Sequence, residues 1–217
     1  MPEGGGQATV ADRGRDPALL IVDMQNDFVR VGAPLEVPAA RDTIAAHRKL
    51  IAAFRAAGRP VLYTRFISQP FETLLWHWSP QCRPPVRCCW QGHRRSYGDC
   101  EGPRDCAAVI DELQPEASDA VVDKHGYGAF HGTELAARLA ALGVVSLFVI
   151  GTVTQICVEE TAREAFHHGF PTTLVADAVS SFDAALHAAT LRNFAMKFGW
   201  VEDSDAVVRR LREKTTP

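Results

Sequence analysis

The run ALLIVD, Ala18 to Asp23, decides the fold. It is an apolar segment of strand length without alternation, the pattern of a strand covered on both faces in a parallel sheet. It ends on a carboxylate, Asp23. Segments of the same kind recur along the chain: RPVLYTRF (59–66), SDAVVDK (118–124), VVSLFVIG (144–151), TTLVADA (172–178) and a short last strand near Trp200. Between them lie stretches with helical spacing. From Pro38 the apolar residues Ile44, Leu50, Ile51 and Phe54 recur at that spacing, with a proline at the start and Gly58 at the stop. GTELAARLAALG (132–143) has Thr133 as a cap and Gly143 as its terminator. Further helices follow Cys157 as far as Gly169 and span DAALHAATLRNFAMKFG (183–199), and CAAVIDEL (106–113) reads as a short one. Strands and helices that alternate in this way predict an α/β fold: a three-layer, doubly wound sandwich whose mostly parallel sheet carries helices on both faces.

At 217 residues the expectation is a single domain over 18–217, preceded by a Gly-rich, polar and disordered tail over 1–17. Between Ser68 and about Pro103 the periodicity is lost. Pro, Gly, Cys, Arg and Trp crowd a large excursion at about 66–106, and excursions of this size are usually functional or disordered. The balance of 23 Lys+Arg against 26 Asp+Glu, a formal charge of −3, leaves no electrostatic footprint for nucleic acid or an anionic membrane. No apolar run approaches the roughly 20 residues that span a bilayer, and the N-terminus lacks a signal-peptide core. The expected location is the cytoplasm. Six cysteines fit that compartment as thiols or metal ligands rather than disulfides.

In doubly wound sheets ligands sit at the carboxyl ends of the strands. Asp23, Lys124 and Cys157 each follow a strand at that edge. With spatial order 3-2-1-4, Lys124 lies two strands from Asp23, roughly 10 Å at about 4.8 Å per strand, a gap a lysine side chain bridges. Cys157 emerges from the adjacent fourth strand. Taken singly, such a cysteine reads as a small buried hydrophobe, the aspartate as a turn residue and the lysine as a solvated charge. Together they supply a thiol at a helix start, a cation and a proton acceptor, the requirements of a cysteine nucleophile.

The stretches ALLIVDMQNDF (18–28), VVDKHGYGAFHGTEL (121–135), GTVTQICVEETAREAFHHGF (151–170) and LVADAVSSFDAALHAATL (174–191) resemble the isochorismatase-like cysteine hydrolases, which include nicotinamidases, N-carbamoylsarcosine amidohydrolase, ureidoacrylate amidohydrolase and isochorismatase. The resemblance implies a six-stranded sheet, an Asp–Lys–Cys triad on Asp23, Lys124 and Cys157, and a homo-oligomer, dimer or tetramer. It also implies a non-proline cis peptide between Thr152 and Val153, which turns the Val153 N–H, with that of Cys157, toward a substrate oxygen as an oxyanion hole.

Two departures sharpen the expectation. Nicotinamidases of this family carry a metal-binding Asp-x-His pair after the second strand, whereas this chain has YTRFISQPFETLLWHW there; His77 lacks paired ligands, so no catalytic metal is expected and nicotinamide is disfavoured. True isochorismatases lack the cysteine, so Cys157 points to an amide, ureido or N-carbamoyl C–N bond in a small molecule, cleaved through a thioester. The alternatives are an esterase, lactamase or carbamate hydrolase with the same triad, and a catalytically silent binding or scaffold subunit, against which the intact triad argues. Gln25, Phe28, Phe66, Trp76, Trp78, Tyr127, Phe130 and Gln155 are the expected substrate contacts; Arg83, Arg87, Arg94 and Arg95 offer forks for a carboxylate but read first as surface charges. Cys82, Cys88, Cys89, Cys100, Cys106 and His93 are the ligands on hand for a structural zinc; without paired C-x₂-C knuckles, and with two cysteines adjacent, no zinc is expected.

Overall fold

The computed structural model describes residues 9–215. A 3₁₀ turn at Val10–Asp12 leads into strand β1 (Pro17–Val22), the single turn α1 (Asn26–Val29) and, through a 3₁₀ turn at Pro38–Thr43, helix α2 (Ile44–Ala56). Strand β2 (Val61–Phe66) follows. The excursion contains the short helix α3 (Leu74–Trp78), a 3₁₀ turn at Pro80–Cys82 and a two-stranded antiparallel ribbon, β3 (Arg94–Arg95) with β4 (Arg104–Asp105). The chain continues with a 3₁₀ turn at Asp111–Leu113, β5 (Ala120–Lys124), α4 (Leu135–Ala141), β6 (Ser146–Thr152), a π-helical turn at Thr154–Val158 and α5 (Glu159–His167). It ends with β7 (Thr172–Ser180), α6 (Ala184–Lys197), β8 (Trp200–Glu202) and α7 (Ser204–Thr215).

Six strands form one parallel sheet in the order β5-β2-β1-β6-β7-β8. The apolar run of β1 is explained by its central place: all six residues are buried, and alternate side chains enter different layers. Leu19 and Ile21 pack with Leu50 and Phe54 of α2 and Val207 and Leu211 of α7. Ala18, Leu20 and Val22 pack with Leu139 of α4, Ala162 of α5 and Phe194 of α6. This is the three-layer sandwich the alternation predicts. Asp183 caps α6 by accepting from Ala185 N and Leu186 N at 2.9 Å. None of the described helices is long and apolar enough to cross a membrane.

Three features depart from the sequence reading. CAAVIDEL is not a helix beyond the turn at Asp111–Leu113. Its backbone is engaged by the segment after β1 instead: Asp27 N donates to Cys106 O (3.2 Å), Asn26 N to Ala108 O (3.0 Å) and Ile110 N to Met24 O (3.0 Å). A helix would have kept those groups for itself. Helix α7, absent from the sequence reading, closes the sheet's α2 side. Of the expected tail, residues 1–8 lie outside the described residues, while 9–17 are held against the sheet. Arg13 stacks over Trp200 at 4.6 Å and pairs with Glu202, and Ser146 Oγ donates to Arg15 O at 2.9 Å.

The excursion hangs from α1. Asp27, fully buried, accepts from Cys89 N (2.8 Å), Arg95 Nε (3.1 Å) and Tyr97 Oη (2.7 Å). Asn26 Nδ2 donates to Asp105 O at 2.9 Å, and Arg30 forms a two-pronged pair with Glu112 at 2.8 and 2.7 Å. Buried charges matched in this way give the segment one seat on the domain.

Candidate active site

Asp23 stands one residue beyond β1 with φ +51°, a left-handed conformation that aspartate tolerates better than most residues. Thr64, the partner of Val22 in the β1–β2 register, donates from Oγ1 to Asp23 Oδ1 at 2.7 Å. Lys124 ends β5, two strands away, and its side chain reaches across so that Nζ lies 2.7 Å from Asp23 Oδ2. That oxygen is matched by the ammonium charge. Nζ also donates to Gly126 O (3.0 Å) and Tyr127 O (2.9 Å), so the loop after β5 fastens the lysine. Both side chains are wholly buried. Burial opposes the lysine's charge, but Asp23 and Cys157 outweigh it and raise its pKa.

Cys157 lies in the π-helical turn between β6 and α5, a local widening that recurs at functional sites. Val153 O accepts from both Ile156 N (3.0 Å) and Val158 N (3.1 Å) and so anchors the turn. The peptide between Thr152 and Val153 is cis. Burial pushes the Cys157 thiol up to about 12; Lys124 draws it down and Asp23 pushes it further up. The resting group is therefore a thiol beside a carboxylate, not the preformed thiolate suggested by a cation at a helix start. Asp23, Lys124 and Cys157 are thus brought together from β1, β5 and the turn after β6.

Cys157 opens into a cavity of about 460 Å³. Of the expected contacts, Phe28, Phe66, Trp78 and Tyr127 line it. Four do not. Gln25 is buried and its amide is taken up by backbone: Oε1 accepts from Phe66 N (2.7 Å), and Nε2 donates to Phe66 O and Ala107 O (2.9 Å each). Trp76 stacks on Trp90 behind the wall, at 6.5 Å between centroids. Phe130 belongs to the core, stacked on His168. Gln155 faces a neighbouring groove with Glu159, Glu160 and Arg163. Leu35, Leu75, Ser79, Ile156 and Phe182 line the cavity without having been expected. Ile156 was the most legible of these, one position before the cysteine; the others come together only through tertiary packing.

None of the four arginines lines the cavity. Arg95 serves Asp27, Arg83 faces Glu72 at 3.5 Å, Arg94 donates to Pro103 O at 2.5 Å and Arg87 lies over Trp90. Nor does β2 lead into a metal-binding pair: Ile67 and Ser68 follow it, and His77 sits edge-on against Trp78. Among the described residues the one group with metal-ligand proximity is Asp27, Cys88 and Cys89. Both Asp27 oxygens already accept hydrogen bonds, and burial pushes the Cys89 thiol up to about 11. Cys82, Cys88 and Cys89 pack instead into the apolar core, a use to which free cysteines are well suited.

The chain and its fold are similar to known proteins. Residues 17–206 match the isochorismatase domain family. The chain is 34% identical over 208 residues to nicotinamidase 3 of Arabidopsis thaliana, covering 92% of this chain and 93% of that protein. It is 33% identical over 204 residues to the ureidoacrylate amidohydrolase RutB of Methylobacterium radiotolerans, covering 87% and 78%. The crystal structure of a cysteine hydrolase from Pseudomonas syringae pv. phaseolicola superposes with a TM-score of 0.82 at 27% identity, covering 91% of this chain and 93% of that one. The chain belongs to the isochorismatase family and is a hydrolase.

Proposed function

We propose that the protein is a metal-independent cysteine hydrolase that cleaves a C–N bond, amide, ureido or N-carbamoyl, of a small molecule through a thioester. One observation carries this reading: the buried Asp23 carboxylate, with Oδ2 2.7 Å from Lys124 Nζ, stands beside the Cys157 thiol, whose pKa burial raises. Asp23 takes the thiol proton as Sγ attacks the carbonyl carbon, and Lys124 holds the charge on the triad. The N–H groups of Val153 and Cys157 receive the developing oxyanion. Asp23 then passes the proton to the departing nitrogen, the C–N bond breaks, and the acyl group stays on Sγ. Water, deprotonated by Asp23, attacks the thioester, and the thiol leaves with its proton restored.

The names of the relatives place ureidoacrylate and nicotinamide among the compounds to test. Ammonia release from at least one member of a panel of primary amides, ureido acids and N-carbamoyl amino acids is expected from the protein and absent from Cys157→Ala. Release that survives in the alanine variant sinks the reading. A homo-oligomer, dimer or tetramer, in the cytoplasm completes the proposal. It is supported by exposed apolar side chains on the α4–α6 layer, Leu142, Phe166 and Met196, and light scattering that returns a monomer mass removes the oligomer.

A further inference from the structure

The cavity in front of Cys157 has a chemical character that neither the relatives nor the triad specify. Most of its wall is hydrocarbon: Phe28, Leu35, Phe66, Leu75, Trp78 and Ile156. Its polar side-chain groups, apart from the thiol, are the hydroxyls of Ser79 and Tyr127, the indole N–H of Trp78 and the carboxylate of Glu36. Glu36 is ionised: the N–H of Gly32, at 2.8 Å, and Arg41, at 2.8 Å, hold its carboxyl below the usual range. No lining residue is a cation. Two cations stand behind the wall and both are engaged: Arg41 by Glu36 and Val29 O, and Lys124 by Gly126 O, Tyr127 O and the Asp23 carboxylate. His125 is turned away, with Nδ1 2.8 Å from Ile67 O.

A carboxylate drawn into this space would lose its hydration and find no cation on the lining, only the Glu36 carboxylate that already holds Arg41. An aryl or branched alkyl group would meet matching surface. Resting on the cysteine-hydrolase reading of this site, we propose that the substrate is an uncharged, largely apolar amide or carbamoyl compound, and that ureido acids and N-carbamoyl amino acids are refused. The two hydroxyls are placed to orient one neutral polar group on it.

The test is a pair of nearly isosteric amides, 4-methylphenylacetamide and 4-carboxyphenylacetamide, followed by ammonia release with the native protein and by calorimetric binding to Cys157→Ser. The neutral member is expected to exceed the charged one in kcat/KM by about 100-fold or more, with the same order in affinity. Phe182→Arg places a cation at an exposed rim position and is expected to improve kcat/KM for the carboxylated member by roughly tenfold. Equal or better binding of the carboxylated member to Cys157→Ser, or no binding of either, overturns the proposal. Selective binding of the neutral member to Cys157→Ser, with no turnover by the native protein, would instead uphold the pocket's chemistry and remove the hydrolase reading beneath it.

Discussion

Asp23 divides its carboxylate between two tasks. Oδ1 is fixed by Thr64, while Oδ2 remains open to a proton beside Lys124. Thr64→Val removes the fixing bond at nearly constant volume and leaves a buried oxygen unpartnered, at a cost of about 1–3 kcal/mol. The expected outcome is a folded enzyme with kcat lowered roughly ten- to a hundredfold, and unchanged kcat would show that Thr64 does not position the base. The raised pKa of Cys157 leads to a second expectation. Because the thiol is protonated at rest, alkylation of Cys157 by iodoacetamide, followed on its peptide by mass spectrometry, should rise about tenfold per pH unit from pH 8 to pH 10. A plateau by pH 7 would reveal a preformed thiolate. The meeting of Asp23, Lys124 and Cys157 was legible because each ends or follows a strand and the strand order could be argued. Thr64 was not, since its role depends on the register that sets it opposite Val22.

The passage from β6 to α5 governs how the cysteine is presented. Gly151, at φ +121°, lies so close to β1 that a Cβ there would meet Val22 O at 2.0 Å and Val22 N at 2.7 Å, both backbone. The β6–β7 pairing also shifts register between Val149 and Gly151. Gly151→Ala is therefore expected to lower the urea midpoint by the equivalent of about 3 kcal/mol or more. Gly169→Ala, at φ +83° with open space around it, should cost only about 1 kcal/mol. Comparable losses would show that close approach to β1 is not the constraint. A second contact joins the two halves of the site: Glu164 of α5 accepts from Phe130 N at 2.8 Å, tying the loop that fastens Lys124 to the helix behind Cys157. At this scale β1, β2, β5, β6 and β7 were readable from their apolar cores, whereas the two-residue strands β3 and β4 left no such signal. CAAVIDEL misled because its apolar spacing suits a helix while its backbone partners lie some 80 residues earlier in sequence, beyond the reach of a local pattern.

The stability of the whole molecule should carry the signature of one buried ring. His47 of α2 is wholly buried, with Nδ1 donating to Thr43 O at 2.9 Å and Nε2 without a partner. Burial lowers its pKa from 6.5 to about 4, against weaker opposing pulls from Thr43 and Asp177. The folded-state value lies below the unfolded one, so this contribution is complete above pH 6.5 and is lost as the pH falls toward 4, up to about 3 kcal/mol. Urea midpoints at pH 7.5 and 4.5 should separate further for the native protein than for His47→Leu, and equal separations would remove His47 as the cause. The excursion shows what sequence alone could not deliver: its irregular composition marked it as a departure, but only the assembled fold reveals that Asp27, Asn26 and Arg30 hold it in place. Those residues follow closely on Asp23 in the sequence, within the segment that ends at Arg30. The anchors of the excursion and the carboxylate to which we assign the proton transfer are therefore carried by one short stretch of chain. A graft that exchanges residues 66–106 for another family member's must bring a matching 25–30 with it, so specificity in this protein is inherited as a two-part cassette rather than as a detachable loop.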